Sequence, residues 1–464
     1  RAGDFFLATS GDTHLAIDSV PREPVRALQH VLYRAAKADP GRRFHALMDK
    51  VYRRDVLERG WTMVRNNNGA PGIDATTLAD IEEYGIIRLL DELAAELREG
   101  RYRPLPARRV MIPKPGAKGE YRPLSIPAVR DRVVQAAVKI VFEPVFEADM
   151  ADCSFGFRPK RSAHDALQVL IEEQARGRRW VVETDIANCF SAIGHDELMR
   201  AIEERVCDQS LLKLLRVILR AGVMEDGQIR REVTGTPQGG VVSPVLCNVY
   251  LHRLDRAWDE ADGVLARYAD DAIVMCWSRG QAERALARLT ELLAALGLEP
   301  KAAKTRIVHL EVGGEGLDFL GFHHRLVRSR GFNGKRPFVF LARWPSDRAM
   351  QHARDRIRDL TDGRRLLLRT EAIIEEVNLF LRGWAGYFRY GHSARRFSKI
   401  RDFAWMRLTL FLSRKHRRSR SYGRGVLKRA PGDLGLISLY GIVVAPRAGK
   451  PWRERPNAGG ERRR

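Results

Sequence analysis

Tyr268-Ala269-Asp270-Asp271 lies between two apolar runs, Val264-Leu265-Ala266-Arg267 before it and Ala272-Ile273-Val274-Met275-Cys276 after it. The runs are strand-like, so the stretch reads as a buried β-hairpin with a polar tip. Two adjacent carboxylates at such a tip make no sense as packing. Their like charges repel, and desolvating either one is costly without a cation nearby. A pair of divalent metals would resolve that cost. Two-metal sites about 3.5–4 Å apart are how polymerases clamp the attacking and leaving oxygens of phosphoryl transfer. The competing reading is a plain turn that uses Asp because Asp tolerates turn geometry. Taken alone, the four residues leave both open.

Working outward, Val181-Val182-Glu183-Thr184-Asp185 is a second apolar strand that ends on a carboxylate. A third carboxylate from a neighbouring strand is what two hard cations need, because their oxygen ligands must come from more than one direction. Thr236-Pro237-Gln238-Gly239-Gly240 forms a loop that leads through Ser243-Pro244 into an apolar helix. Its glycines allow the backbone to approach a ligand closely.

The chain has 464 residues, 44% of them apolar, enough for several packed cores. Its net charge is +23, with 67 Arg against 14 Lys. That excess suits a polyanionic partner, since each neutralised phosphate releases counterions. Arg also favours bidentate phosphate contacts and stacking on bases. A GC-rich genome accounts for the Arg-to-Lys ratio but not for the net charge. Cys153, Cys189, Cys207, Cys247 and Cys276 show no C-x-x-C spacing, so no zinc site is implied. Scattered in apolar contexts, they fit reduced thiols in a cytosolic protein. No apolar run approaches the roughly 20 residues that span a membrane. The start, Arg1-Ala2-Gly3-Asp4, has no signal-peptide layout.

Periodicity predicts helices over 25–36, 46–65, 87–99, 128–146, 163–174, 195–219, 242–254 and 282–296. Asn66 to Gly72 is a loop, and Ser162 with Asp165 forms a capping box. Arg108–Ile112 and Tyr121–Ile126 read as a hairpin around Pro113-Lys114-Pro115-Gly116; 305–310 and 317–322 read as short strands. One shared sheet among these helices predicts an α+β centre. Beyond about residue 340 the pattern is all helix, over 346–361, 370–389 and 394–415, as in a bundle. Between Arg395 and Arg429 there are 13 basic residues and one acidic residue, Asp402, with Phe397, Phe403, Trp405 and Phe411 interleaved. That density points to nucleic-acid contact rather than a merely solvated face.

Set in order, these stretches resemble a known family. Asp185…Phe190, Pro237-Gln238-Gly239-Gly240…Ser243-Pro244…Asn248, Tyr268-Ala269-Asp270-Asp271, Gly297-Leu298…Lys304-Thr305 and Phe319-Leu320-Gly321-Phe322 look like the palm of a reverse transcriptase. Within that superfamily the chain resembles the bacterial group II intron-encoded reverse transcriptases, or maturases, of the nuclease-free type. Three stretches carry the narrower match: Asn68-Gly69-Ala70-Pro71-Gly72-Ile73-Asp74, Ser154-Phe155-Gly156-Phe157-Arg158-Pro159-Lys160-Arg161-Ser162-Ala163-His164, and Asn378-Leu379 followed by Arg382-Gly383-Trp384-Ala385-Gly386-Tyr387-Phe388.

The resemblance implies an α+β right-hand polymerase fold, with fingers and palm of antiparallel sheet plus helices, then an all-helical thumb, or maturase, bundle. Its implied limits are an N-terminal extension over 1–65, fingers over 66–178, palm over 179–335, thumb over 340–430 and a basic tail over 431–464. Asp185, Asp270 and Asp271 match the catalytic carboxylates, with Ile186 completing the metal set. The implied cofactor is Mg²⁺, two ions, with Mn²⁺ able to substitute. Lys114, Arg122, Phe190, Gln238 and Lys304 match dNTP-binding positions. Phe190 lies where a bulky residue under the sugar excludes a 2′-OH, and Lys304 matches a lysine proposed to assist the leaving pyrophosphate. Lys304 reads equally well as a solvated strand residue. Arg158, Arg161, Arg395, Arg396, Lys399, Arg414, Lys415, Arg417 and Arg418 are the expected nucleic-acid contacts. Trp384, Tyr387 and Phe388 fall at helical spacing and read as bundle core.

Some positions depart from the family pattern. Ser191 stands where the family commonly has Asp, the residues Ile186-Ala187-Asn188-Cys189 are smaller than usual, and the spacing from Lys114 to Arg122 is longer. No Cys follows Cys276, so the zinc-containing homing endonuclease found in many members is not expected. Residues 433–447 resemble the short tail of nuclease-free members. The implied function is RNA-directed DNA synthesis with intron RNA binding, splicing assistance and retromobility, in the bacterial cytoplasm. The implied partners are an RNA template, a DNA primer or target, and dNTPs. The alternatives are a host-recruited enzyme of DNA repair or CRISPR spacer acquisition, and a splicing-only maturase.

Overall fold

The computed structural model describes residues 23–113, 116, 119–225, 227–230, 234–236, 239–329, 337–429 and 435–444. Lys114, Pro237, Gln238, residues 1–22 of the N-terminal extension, and residues 431–434 and 445–464 of the tail lie outside these.

The helix Val129–Glu147 is the spine of the N-terminal half. It is buried nearly throughout, mostly by apolar side chains but with Asp131, Arg132 and Gln135 buried among them. The helices Pro24–Ala38 and Arg54–Asn67 lie against it, each presenting one apolar stripe. The predicted helix over 46–65 is two helices, Met48–Val51 and Arg54–Asn67. Its first turn is capped from far along the chain: Asp208 Oδ2 accepts from the Leu47 and Met48 amides at 2.7 and 2.8 Å. The same carboxylate caps its own helix, Gln209–Leu219, through Ser210 and Leu211. The predicted stretch 195–219 is therefore also split, into His195–Glu203 and Gln209–Leu219.

The expected single sheet is three. Strands β1 (Ala107–Pro113) and β2 (Tyr121–Ile126) form the predicted hairpin. Two three-residue strands, β4 (Val223–Glu225) and β5 (Gln228–Arg230), extend it, β4 running parallel to β1. Residues from within the 179–335 stretch thus complete the sheet of the 66–178 stretch. The central sheet has the order β6-β7-β3-β8, all antiparallel, from β3 (Trp180–Asp185), β6 (Val264–Tyr268), β7 (Asp271–Cys276) and β8 (Arg306–His309). A third sheet, β9 (Leu317–Phe319), β10 (Phe322–Arg328) and β11 (Val339–Pro345), turns tightly at Leu320-Gly321, both at positive φ.

The C-terminal helices are Asp347–Leu360, Thr370–Phe388, Ala394–Lys415 and a fourth, Arg420–Arg429. They do not form a free-standing bundle. Ile357, Ile373, Leu381 and Phe397 share one core with Phe322 and Leu326 of the third sheet and with Val181, Ile273 and Met275 of the central sheet. Each such fully buried aliphatic side chain contributes about 1.5–3 kcal/mol, so the thumb helices and the central sheet stabilise one another. The tail is pinned to the thumb: the Asn378 amide donates to Gly435 O at 2.9 Å, and its Oδ1 accepts from the Ile437 amide at 3.0 Å.

Candidate active site

The hairpin of β6 and β7 turns through Ala269 and Asp270, with Tyr268 opposite Asp271. Asp271 also stands opposite Asp185 at the end of β3. The antiparallel register therefore brings together the three carboxylates expected from the sequence. Asp270 follows on from the other side: its carbonyl accepts from the Ile186 amide at 3.0 Å. Ile186, expected in the metal set, is buried there and ties the end of β3 to the turn.

The electrostatics show the cost of this arrangement. Burial and then the nearby Asp185 carboxylate push the Asp270 carboxyl above its ordinary value. Burial, followed by the charges of Asp270 and Asp185, pushes Asp271 up likewise, with Lys304 opposing. Lys304 Nζ lies 2.8 Å from Asp185 Oδ2 and 3.7 Å from Asp271 Oδ1, and Lys301 Nζ reaches to 3.9 Å of Asp185. Lys304 is thus no free strand residue. It sits in the turn before β8, where Thr305 and Thr184 share a hydroxyl hydrogen bond of 2.8 Å. Among the described residues no three His, Cys, Asp or Glu side chains are drawn into a ready cage for an ion; Asp185 is engaged by the lysine instead. The donor set still fits hard divalent cations, since it is all oxygen, comes from two strands and a turn, and carries more negative charge than its two lysines cancel.

Phe190 lies half-buried in the short helix after Asp185, and its carbonyl accepts from the Thr236 amide at 2.7 Å. Gly239 is pressed onto β2. A Cβ at Gly239 would sit 2.4 Å from Ser125 O, and its φ of +114° is one that L side chains rarely adopt. Arg122 is exposed on β2, opposite Ile112.

The expected nucleic-acid contacts divide. Arg395, Lys399, Arg414, Arg417 and Arg418 are exposed on and after the helix Ala394–Lys415. Arg396 is paired with Asp347 at 3.1 Å. Lys415 donates to the carbonyls of Leu366 and Leu368 at 2.7 and 2.8 Å, closing a loop. Arg161 is held by Asp152. Arg158 corrects the expectation: it is buried, bound to Glu147 and to the carbonyls of Ala151 and Ser154, and offers no surface to a polyanion.

Sequence reasoning passed over Arg267, which lies fully buried beneath the turn and bonds Asp255 and the carbonyl of Ala269. Its signal was a lone charge in an otherwise apolar strand, which demands a partner. Tyr387 packs against the core as expected, with Trp384 and Phe388, and its hydroxyl in addition donates to Leu320 O at 2.8 Å.

A carboxylate pair on a hairpin facing a third on the central strand, in a chain that also carries a basic β-hairpin and a helical C-terminal region, fits a template-directed nucleotidyltransferase of the right-hand type. The chain belongs to the group II intron-encoded reverse transcriptase and maturase family. Residues 112–324 match the family described as reverse transcriptase (RNA-dependent DNA polymerase), and residues 350–430 match the group II intron maturase-specific domain. Protein YkfC of Escherichia coli (strain K12) is 32% identical over 353 residues, covering 67% of this chain and 90% of that protein. The group II intron-encoded protein LtrA of Lactococcus lactis subsp. cremoris is 38% identical over 215 residues, 46% of this chain and 35% of that protein. An uncharacterized 91 kDa protein in the cob intron of Schizosaccharomyces pombe is 27% identical over 462 residues, 84% of this chain and 56% of that protein. The chain is thus an RNA-directed DNA polymerase by family, one that generally uses divalent metal ions and works on nucleic acid. Among the described residues no helix is long and apolar enough to cross a membrane.

Proposed function

We propose that this chain copies RNA into DNA by a two-metal mechanism with Mg²⁺, and that it binds group II intron RNA and assists its splicing and mobility. The observation that carries the polymerase reading is the register of Asp185 against Asp271, with Asp270 in the adjoining turn. When bound at Asp185, Asp270 and Asp271, with the Ile186 backbone alongside, the metal ions would supply Lewis-acid activation of the primer 3′-OH and neutralisation of the triphosphate. The 3′-hydroxyl gives up its proton to solvent water as its oxygen bonds the α-phosphorus, and the bond from the α-phosphorus to the bridging oxygen breaks, so pyrophosphate leaves. Lys304, displaced from Asp185 by the incoming metal but still beside the site, would give its proton to that leaving group. Phe190, whose carbonyl accepts from the Thr236 amide at 2.7 Å, is the residue that would crowd a 2′-OH. Arg122, with Lys114, would bind the triphosphate from the fingers.

The maturase role rests on the matched maturase-specific domain and on the exposed Arg395, Lys399, Arg414, Arg417 and Arg418. The intact carboxylate set argues against a splicing-only protein. Primer extension on an RNA template is the test. Wild-type protein should extend and Asp270→Ala should lose at least about 10³-fold. Failure of the wild type, or equal extension by the variant, would sink the reading.

A further inference from the structure

Arg267 is 0% exposed, inside a strand whose neighbours are apolar. Burying a guanidinium there is costly, and an aliphatic residue would pack more cheaply. The structure shows what the charge is used for. Nε donates to Asp255 Oδ1 at 2.8 Å, and Nη2 donates to Asp255 Oδ2 and to Ser154 Oγ, the latter at 2.8 Å. Nη1 donates to Ala269 O at 2.9 Å and to Asn248 Oδ1 at 3.3 Å. All five N–H groups of the fork are satisfied. They reach three parts of the chain: the segment at Ser154, the helix Ser243–Ala257, and the turn that carries the carboxylates.

The Ala269 carbonyl is the telling partner. Ala269 has φ +57°, a left-handed backbone on a residue with a Cβ. Such a conformation costs about 1–3 kcal/mol and persists only where surroundings enforce it. Arg267 grips it through the carbonyl, and Gly156 closes on it from the amide: a Cβ at Gly156 would sit 2.5 Å from Ala269 N. Asn248 completes the ring, its amide donating to Gly156 O at 2.8 Å while its Oδ1 accepts from Arg267. The clamped peptide is the one that leads directly into Asp270.

We propose that Arg267, anchored by Asp255 and opposed by Asn248 and Gly156, is a positioning residue that locks the Ala269 peptide and thereby sets the spacing of Asp270 and Asp271 for divalent cations. It rests on the reading of those carboxylates as metal ligands. Among the described contacts Arg267 makes no hydrogen bond to Asp270 or Asp271; it reaches them through the turn and by its charge, which opposes the rise of the Asp270 pKa.

The test is Arg267→Lys, which keeps a cation beside Asp255 but cannot hold Asp255, Ser154 and Ala269 at once. Mn²⁺ binding is read by electron paramagnetic resonance of free Mn²⁺, in the complex with RNA template, 3′-deoxy-terminated primer and dNTP. The expected result is affinity weakened about tenfold, kcat for extension down about 10–100-fold, and KM for dNTP within about threefold of wild type. The half-saturating Mg²⁺ concentration should rise in step with the Mn²⁺ constant. Ile357→Ala, buried in the thumb-side core away from the turn, reports what general loosening does. If Arg267→Lys does not fold, the double variant Arg267→Met with Asp255→Leu removes both buried charges together, which cores tolerate better than one orphaned charge. The same weakening of metal binding is then expected. Wild-type Mn²⁺ affinity and Mg²⁺ dependence in the folded variant, or losses no larger than those of Ile357→Ala, would overturn the proposal and leave the metal reading standing. Wild-type protein that binds Mn²⁺ no better than Asp270→Ala would instead overturn the metal reading, and the proposal with it.

Discussion

The Lys304 ammonium stands 2.8 Å from the Asp185 carboxylate and 3.7 Å from that of Asp271, between two of the groups proposed to hold metal. Burial alone would lower the pKa of Lys304, but the hydrogen bond to Asp185 and the charges of Asp271, Asp185 and Asp270 raise it. The lysine therefore stays charged and acts as the internal counterion of the cluster. A divalent cation bound by Asp185 and Asp271, as proposed, would have to displace it.

Lys304→Ala should separate these two roles. Without the ammonium the carboxylates repel more strongly and should bind Mn²⁺ several-fold tighter. Nucleotide addition should nonetheless slow about 10²-fold, the low end of what a positioned acid supplies. Metal titration beside single-turnover extension measures both. Unchanged Mn²⁺ affinity would show that lysine and metal do not compete.

Phe190 is held by its own backbone rather than by packing alone, since its carbonyl accepts from Thr236 at 2.7 Å. Shortening the side chain should open space beneath the sugar without moving Asp185. Phe190→Val is expected to keep most dNTP incorporation while discrimination against rNTP falls about 10–100-fold. Competing single-nucleotide additions give the ratio. An unchanged ratio would place the sugar elsewhere.

How much of this was legible differs from residue to residue. The Tyr268 hairpin, the β1–β2 hairpin and the Ser162 capping box were readable because each is specified by neighbours in sequence. β4 and β5 were not: three-residue strands carry no pattern, and they exist because β1 offers an edge. The break after Val51 has no glycine or proline to announce it, only Asp208, distant in sequence, accepting from Leu47 and Met48. In the site, the three carboxylates were evident from motif order. What Arg158 and Lys415 do was not, because a basic residue in a basic run reads as surface until Glu147 or a pair of loop carbonyls is brought beside it.

Asp131 gives a pH signature of stability separate from activity. It is buried, accepts from Tyr102 Oη at 2.6 Å and from the Leu105 amide at 3.0 Å, and burial raises its pKa from 3.8 to about 6 despite those bonds. The folded protein therefore binds this proton more tightly than the unfolded chain does. Stability from this group is fully present below pH 4, falls as pH rises towards about 6, and stays at its lower level above that. The difference is about 3 kcal/mol. Asp131→Asn mimics the neutral form. Denaturant melts of wild type and variant from pH 4 to 7 should give a difference curve sloping over that window and flat above it. Parallel pH profiles would show that Asp131 does not titrate there.

Tyr387 links the thumb to the turn between β9 and β10. Its hydroxyl donates to Leu320 O at 2.8 Å, and the next residue of that turn, Gly321, accepts from the Ser346 amide at 2.9 Å. Burial first, and then the nearby Tyr268 phenol, raise the Tyr387 pKa, so this thumb side chain also lies close to the hairpin that carries Asp270 and Asp271. Tyr387→Phe keeps the ring among His164, Phe322 and Phe388 but removes the bond to Leu320. The loss should be about 1 kcal/mol, a factor of about five in an equilibrium constant. If the bond holds the thumb against the turn during synthesis, that factor falls on primer–template release. Under a heparin trap the variant should then make shorter products, while single-nucleotide addition at saturating primer stays at the wild-type rate. Wild-type product lengths would confine the bond to local packing.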